Sequence, residues 1–238
     1  MPRPNIANTQ AEHLADRQER SIAVDWLVEV QTRGRLRTAT IFLAVSLIDG
    51  YLALKEVKRD SLQLLVVAAL FAAAKFEEIQ PLQLRDLVTL TQQTCSKQDI
   101  RAMEAKLLTT VEFRLCRPTA AHFADRYLQT HGCEEVQGAV VAYLLQLALM
   151  DFGMLRYTPS EQVTAAAMIS SRLSGDQAMQ ANFTRAGAPN REQRVLRCAM
   201  NLCRLVQAAK KSPWQAVRRK FMRSRNPGVS ACISELEE

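Results

Sequence analysis

The most constraining feature of this sequence is the apolar run LQLLVVAALFAAA, which occupies residues 62–74. A helix built from it is hydrophobic on nearly every side, and such a helix belongs inside a large core or a membrane. The run holds about a dozen residues before its first charge, whereas a membrane-spanning helix needs about 20. It therefore predicts a helix buried at the centre of a globular fold.

The segment KFEEIQP, residues 75–81, closes this run with charged residues. Lys75 is favoured at a helix C-terminus, whereas carboxylates there oppose the helix dipole. Glu77 and Glu78 are therefore either solvated at a frayed end or held in place for a partner outside the chain.

Length and composition suit one large domain or two domains of ordinary size, with 238 residues of which 48% are hydrophobic and 23% charged. The polar start of the chain does not resemble a signal peptide. Six scattered cysteines include no CxxC motif. We therefore expect reduced thiols in a nuclear and cytoplasmic protein without a membrane segment.

Helix signals dominate the rest of the chain, and the fold class predicted is all-α. TPSE (158–161) is a capping box with proline at the first helical position, SPWQ (212–215) repeats the device, and SKQD (96–99) is a weaker case. Helices are predicted near residues 8–18, 20–32, 38–54, 60–78, 82–92, 97–113, 119–130, 135–151, 159–173, 191–209 and 213–224.

Two halves of the chain share a pattern on either side of Pro118. AALFAAAKF (68–76) matches AAAMISSRL (165–173), since both combine small apolar residues with a basic residue near the end. This similarity favours two tandem five-helix bundles, each around one buried helix, with a short N-terminal helix. The predicted boundaries are an N-terminal segment, two domains and a tail, at residues 1–18, 19–117, 118–226 and 227–238.

Searches for catalytic and metal-binding patterns find none of the phosphate-binding, zinc-protease or hydrolase motifs. His13, His122 and His131 are far apart, and no cluster has the spacing of metal ligands. We expect a protein that is not an enzyme, with no catalytic residue, metal or cofactor.

Charged residues inside apolar helices are the informative feature. Asp49 lies in FLAVSLIDGYL, where burial is tolerable only with an ion pair or hydrogen bonds, and Arg20 is a suitable partner. Lys75 and Glu104 also flank apolar stripes. A pair between these two would leave hydrogen-bonding capacity to spare.

The stretch ERSIAVDWLVEV (19–30) divides its residues between two helix faces. Val24, Leu27 and Val28 form a core face, whereas Ile22, Trp26 and Glu29 share another. The second face is typical of a shallow groove for a peptide with a basic and an apolar residue. The alternative is that Trp26 simply covers the core.

Four segments together closely resemble the cyclin box, and their order and spacing are most similar to A/B-type mitotic cyclins. These are ERSIAVDWLVEV, LAVSLIDGYL, LQLLVVAALFAAAKFEEIQP and the MEAKLL…VEF…PT run. The resemblance is strong over residues 19–123 and continues to about 230. It implies tandem five-helix cyclin folds and an activating, non-catalytic subunit of a cyclin-dependent Ser/Thr protein kinase in cell-cycle control.

The resemblance also assigns roles to individual residues. It implies that Arg20 and Asp49 pair internally. It implies a kinase-binding surface of Lys75, Phe76, Glu78, Glu104, Leu108 and Phe113. It implies a groove for substrate or inhibitor peptides at Ile22, Trp26, Glu29, Leu62 and Gln63. Two departures are Glu19, where the family usually has methionine, and Ala23, where it usually has leucine, and they predict a more acidic and less filled groove.

The segment KKSPWQAVRRKFMRSR, residues 210–225, holds seven basic residues and no acidic one. Such a segment can bind nucleic acid, contact an acidic partner or be a solvated helix face. An alternative function is therefore a cyclin-fold transcription factor that binds DNA through this helix, although we expect no nucleic acid partner. A third is a cyclin-fold scaffold without a kinase.

Overall fold

The computed structural model describes residues 14–175 and 189–237, and the regular structure within these ranges is helical, which confirms the all-α prediction. Two compact units meet in sequence between Arg117 and Pro118. The helices of the first unit are α1 (Leu14–Gly34), α2 (Thr38–Leu52), α3 (Arg59–Glu77), α4 (Leu84–Leu90) and α5 (Lys97–Thr110).

The second unit begins with α6 (Ala120–His131) and α7 (Glu135–Met150), followed by a 3₁₀ turn at Phe152–Arg156. Gly132 ends α6 in the left-handed conformation, with φ of 58°, as is common at helix C-termini. The remaining helices are α8 (Pro159–Leu173), α9 (Pro189–Ala209), α10 (Ala216–Met222) and α11 (Pro227–Leu236).

Helix α3 is the centre of the first unit. All ten residues from Leu65 to Ala74 are buried, as the apolar run predicts. The helix packs mainly on α2 and α5. Its alanines let these neighbours approach closely, and each fully buried leucine contributes about 1.5–3 kcal/mol of transfer free energy.

Helix α8 has the same position in the second unit. Its buried residues include Val163, the three alanines at 165–167 and Ile169. It packs on α6, α7 and α9. The two segments that match in sequence, 68–76 and 165–173, therefore lie at the ends of the two central helices.

The predicted helix starts differ in outcome. Thr158 caps α8 as predicted, since its Oγ1 accepts the Glu161 backbone N–H at 3.1 Å. The start predicted at SPWQ is wrong, because α10 begins only at Ala216. The Gln215 side chain instead donates to the carbonyl of Ala209 at 2.7 Å, so it satisfies the end of α9.

The structure differs from the prediction at the N-terminal segment and at the C-terminal tail. The separate helices near 8–18 and 20–32 form one helix from Leu14, because no proline or glycine interrupts the chain there; residues 8–13 lie outside the described residues. The tail predicted at 227–238 is wrong, since α11 occupies Pro227–Leu236 and packs on α7. Val229 and Ile233 are buried there.

Candidate functional site: the α3–α5 surface and the α1–α3 groove

A buried ion pair ties α1 to α2. Arg20 Nε donates to Asp49 Oδ1 at 2.7 Å, and Arg20 Nη2 donates to Oδ2 at 2.9 Å. Both side chains are under 10% exposed. The two parallel bonds satisfy the carboxylate that the sequence places inside an apolar helix, so this pair has a structural role.

Lys75 and Glu104 meet where the end of α3 packs on α5. Lys75 Nζ lies 2.6 Å from Glu104 Oε1 and 4.3 Å from the centre of the Phe71 ring. The lysine side chain is 44% exposed and the glutamate 10%. The contact lacks hydrogen-bond angles, so this carboxylate oxygen is buried without a hydrogen-bond donor. The pair therefore keeps capacity for further polar contacts at its exposed edge.

Exposed apolar side chains surround this ion pair. Phe76 follows Lys75 and is 46% exposed, and Leu108, one turn after Glu104, is half-buried. Ile79 is 98% exposed and is not among the residues predicted for a binding site. Its place between two glutamates and Gln80–Pro81 gives it no helical periodicity, so only the loop conformation reveals its exposure. Large exposed apolar residues next to a charged pair with unused hydrogen-bonding capacity are typical of a protein-binding surface.

Phe113 is presented by a strained backbone. The helix predicted over 97–113 ends at Thr110, and both Glu112 and Phe113 have φ of 54° in the left-handed region. Bulky residues rarely adopt this conformation. The Phe113 backbone N–H donates to the Leu108 carbonyl at 2.9 Å, and its ring is 65% exposed. The turn therefore holds a large apolar ring in solvent beside the end of α5, and such strain concentrates at functional sites.

Glu78 has partners within the chain. Its Oε1 accepts the backbone N–H of Arg37 at 2.8 Å and the hydroxyl of Thr40. These groups lie at the N-terminus of α2, where a carboxylate is favoured by the helix dipole. The idea that an outside partner must compensate Glu78 is therefore wrong, and its contact with a kinase loses that support.

A groove of about 350 Å³ lies between α1 and α3 and brings together four of the five residues predicted for peptide docking: Ile22, Trp26, Leu62 and Gln63. Ala23 and Val66 complete its apolar lining. Glu29 does not line it and lies 3.8 Å from Arg33 instead. Trp26 is half-buried.

The rim of this groove is not simply acidic. Glu19 Oε1 lies 2.9 Å from Arg59 Nε, and both residues line the groove. The more acidic groove expected from Glu19 is therefore wrong, because Arg59 neutralises that carboxylate.

Some of the basic side chains of the segment 210–225 make ion pairs and hydrogen bonds within the second unit. Glu237 accepts from Arg218 Nε at 3.0 Å and from the Tyr143 hydroxyl at 2.9 Å, and Lys210 lies 4.0 Å away. Lys220 donates to a buried glutamine at 3.0 Å, and burial lowers its pKa to about 8. Three of the seven basic side chains therefore fasten the second unit, which reduces the basic face.

Across residues 14–175 and 189–237, no helix is long and apolar enough to cross a membrane, and no three metal-ligating side chains cluster. The six cysteines, all within these ranges, form no disulfide with one another.

Comparison with protein families decides the relationship. Residues 1–116 match the family described as cyclin, N-terminal domain, and residues 118–235 match the family described as cyclin, C-terminal domain. This chain belongs to the cyclin family. The tandem cyclin folds expected from the sequence are therefore confirmed.

Curated relatives of this cyclin are mitotic. It is 32% identical to the G2/mitotic-specific cyclin-B of Marthasterias glacialis over 212 residues, covering 89% of this chain and 54% of that protein. It is 34% identical to the G2/mitotic-specific cyclin-B of Hydra vulgaris over 209 residues, covering 87% and 57%. The chain thus spans about half the length of the curated relatives it matches.

Solved structures agree on the fold. A viral cyclin from herpesvirus saimiri matches with a TM-score of 0.65 at 14% identity, covering 78% of this cyclin and 86% of that chain. A chain of the yeast RNA Pol II CTD kinase CTDK-1 complex matches with a TM-score of 0.68 at 12% identity, covering 100% and 81%.

Proposed function

We propose that this cyclin is the non-catalytic activating subunit of a cyclin-dependent Ser/Thr protein kinase that acts in cell division. The observation that carries the proposal is the α3–α5 surface, where Lys75 and Glu104 form a half-exposed ion pair among Phe76, Leu108 and Phe113. Exposed apolar anchors beside a charged pair that can still accept a hydrogen bond suit a protein interface. Family membership and the cyclin-B relatives support the same partner.

The activating step is a change in the kinase. A protein kinase is active only when the lysine of its strand β3 pairs with the glutamate of its αC helix and its metal-binding aspartate is in place. The cyclin surface would bind the αC region and favour that arrangement. Because binding must be tighter to the active conformation than to the inactive one, activation is a population shift.

Substrate or inhibitor peptides would dock in the groove between α1 and α3. Its half-buried Trp26 and its partly exposed Leu62 offer an apolar site of about 350 Å³, with Leu62 near the start of α3 and Lys75 near its end. We propose a nuclear and cytoplasmic location, where such a kinase subunit meets its substrates.

The decisive experiment is the double variant Lys75→Ala/Glu104→Ala, assayed with a purified cyclin-dependent kinase and a histone substrate. Removing both charges leaves no unpaired carboxylate, so we expect a folded protein that no longer activates the kinase. Circular dichroism checks the fold.

A matched control exists in the second unit. Glu161 and Arg194 also join a buried carboxylate, 9% exposed, to a half-exposed cation, 45% exposed. The variant Glu161→Ala/Arg194→Ala therefore makes the same change in the second unit and should still activate the kinase while it is folded. Full activation by the folded Lys75/Glu104 double variant would refute the proposal. Steep, salt-sensitive binding to duplex DNA without kinase activation would favour the transcription-factor alternative.

A further inference from the structure

A second hollow, of about 720 Å³, is lined by Lys75 and Ile79 at the edge of the α3–α5 surface, and its other cations, Arg85, Lys97 and Arg101, have no role in the function proposed above. It is formed by α3, the loop that follows α3, the start of α4 and the N-terminal half of α5. Four cationic side chains line it, from Lys75, Arg85, Lys97 and Arg101. No carboxylate is among its lining residues. Lys75 is paired with Glu104, and Arg85 Nε lies 3.7 Å from Asp86 Oδ1, so the uncompensated positive charge of the hollow comes from Lys97 and Arg101.

Two of these cations are placed where the chain alone disfavours them. Lys97 is the first residue of α5, and a cation at a helix N-terminus opposes the dipole. Arg101 lies four residues after Lys97, about one turn along the same face of α5, and like charges at that spacing repel. Both are exposed, and within the described ranges no carboxylate lies within ion-pair distance of either.

The nearest carboxylate in the sequence, Asp99, is engaged with Ser96 and forms no ion pair with Lys97 or Arg101. Asp99 accepts the Ser96 hydroxyl at 2.6 Å and the Ser96 backbone N–H at 3.1 Å, and these bonds lower the pKa of its carboxyl. It is engaged as part of the capping box of α5. An anion from outside the chain would relieve both the repulsion between Lys97 and Arg101 and the unfavourable dipole interaction.

The remaining lining decides the class of anion. Phe71, Ile79, Pro81 and Leu82 contribute apolar surface, and Ile79 is 98% exposed. A nucleic acid backbone or a free phosphate would leave these side chains uncovered, whereas a peptide can cover them and present an acid beside them.

We propose that the hollow binds an acidic segment of a partner protein, in which a phosphate or paired carboxylates lie next to an apolar residue. The acid contacts Lys97 and Arg101, and the apolar residue packs on Ile79. This site goes beyond kinase activation and operates in the isolated chain.

The test is fluorescence anisotropy with the full chain and a short fluorescein-labelled peptide containing Ile-phosphoserine-Asp-Asp. A peptide with unmodified serine separates phosphate from carboxylate recognition, and one with asparagines for the acids is the neutral reference. We expect the neutral peptide to bind at least about tenfold more weakly, and binding of the acidic peptides to weaken as salt is raised.

The decisive variant is Lys97→Glu/Arg101→Glu. An acidic residue at the start of α5 is favoured by the dipole, so we expect a folded protein whose affinity falls at least about tenfold. Lys55→Glu/Lys106→Glu is the matched control, because it makes the same charge change in the same unit at exposed residues outside the hollow. It should bind within about twofold of the wild type.

Several results would overturn the proposal: no binding of either acidic peptide, equal binding of the neutral one, or equal losses in the two reversal variants. Tighter binding to duplex DNA or to anionic vesicles, lost in Lys97→Glu/Arg101→Glu, would assign the hollow to another class of partner. Kinase activation is measured separately and should survive this variant. Loss of activation with unchanged peptide affinity would also refute the site, whereas failure of the kinase proposal leaves the peptide result intact.

Discussion

Removing Arg20 should cost far more stability than removing another arginine from the same helix. Arg20→Met leaves the Asp49 carboxylate, which is 9% exposed, without its two hydrogen bonds. Breaking a buried pair from one side costs about 3–5 kcal/mol. Because domains of this size are stable by about 5–15 kcal/mol in total, this is a large part of the stability of the first unit.

The matched control is Arg33→Met, also on α1. Arg33 is 77% exposed and lies 3.8 Å from Glu29, so its removal should change stability by less than about 0.5 kcal/mol. Arg20→Met/Asp49→Leu replaces both charges with apolar side chains and should recover most of the loss, to within about 1 kcal/mol of the wild type.

Urea unfolding followed by tryptophan fluorescence measures these differences for the first unit alone. The chain has two tryptophans, Trp26 in the first unit and Trp214 in the second, so a Trp214→Phe background makes Trp26 the sole reporter. Equal costs for Arg20→Met and Arg33→Met, or a double variant no more stable than Arg20→Met, would refute the reasoning.

Three further outcomes are expected from unfolding measurements. Lys75→Ala should lower the free energy of unfolding by about 1–3 kcal/mol, because it leaves a carboxylate that is 10% exposed without its cation. Glu104→Ala leaves a lysine that water can hydrate and should cost less than about 1 kcal/mol. Equal costs for the two variants would contradict this reasoning. The hydrogen bond from Arg194 lowers the pKa of Glu161 to about 2 from 4.5, so the stabilisation is present above about pH 4.5 and is lost as the pH falls towards about 2. Arg194→Met should flatten this acid dependence of the urea midpoint, and an unchanged slope would count against the pair. Glu237→Ala should cost about 2 kcal/mol or more, since the buried carboxylate joins three partners, and a loss below about 0.5 kcal/mol would show that this polar network contributes little to the stability of the second unit.

Local patterns in the sequence predict the helices well. The apolar run at 62–74 predicts a buried central helix because a helix apolar on every side has no other place in a globular fold, and α3 has that place. The capping box at Thr158 predicts the start of α8 because its donors and acceptors lie within one turn. SPWQ has similar residue types, yet the Gln215 side chain donates to the Ala209 carbonyl at the end of α9. A side-chain amide can hydrogen-bond whichever backbone group is nearer, so the motif alone does not set the helix start.

Apart from the Arg20–Asp49 pair, the contacts between distant segments described here were not predicted from such patterns. Glu78 was assigned to an outside partner, but its carboxylate accepts the backbone N–H of Arg37 at the start of α2, 41 residues earlier in the sequence. Glu19 was expected to make the groove acidic, but it meets Arg59. Each of these contacts depends on how whole helices pack, and no local periodicity encodes it.

The sequence by itself therefore determined the helical class, the two central helices and the charged residues that need a partner, because burial and capping act within a few residues. The Arg20–Asp49 pair was expected from the sequence, but the tertiary structure decided the partners of Glu19, Glu78 and Glu237. Tyr143 and Glu237 are 94 residues apart, and they meet because α11 packs on α7. It also decided that Phe113 and Ile79 face solvent, since a turn and a loop, rather than a periodic helix face, set their directions.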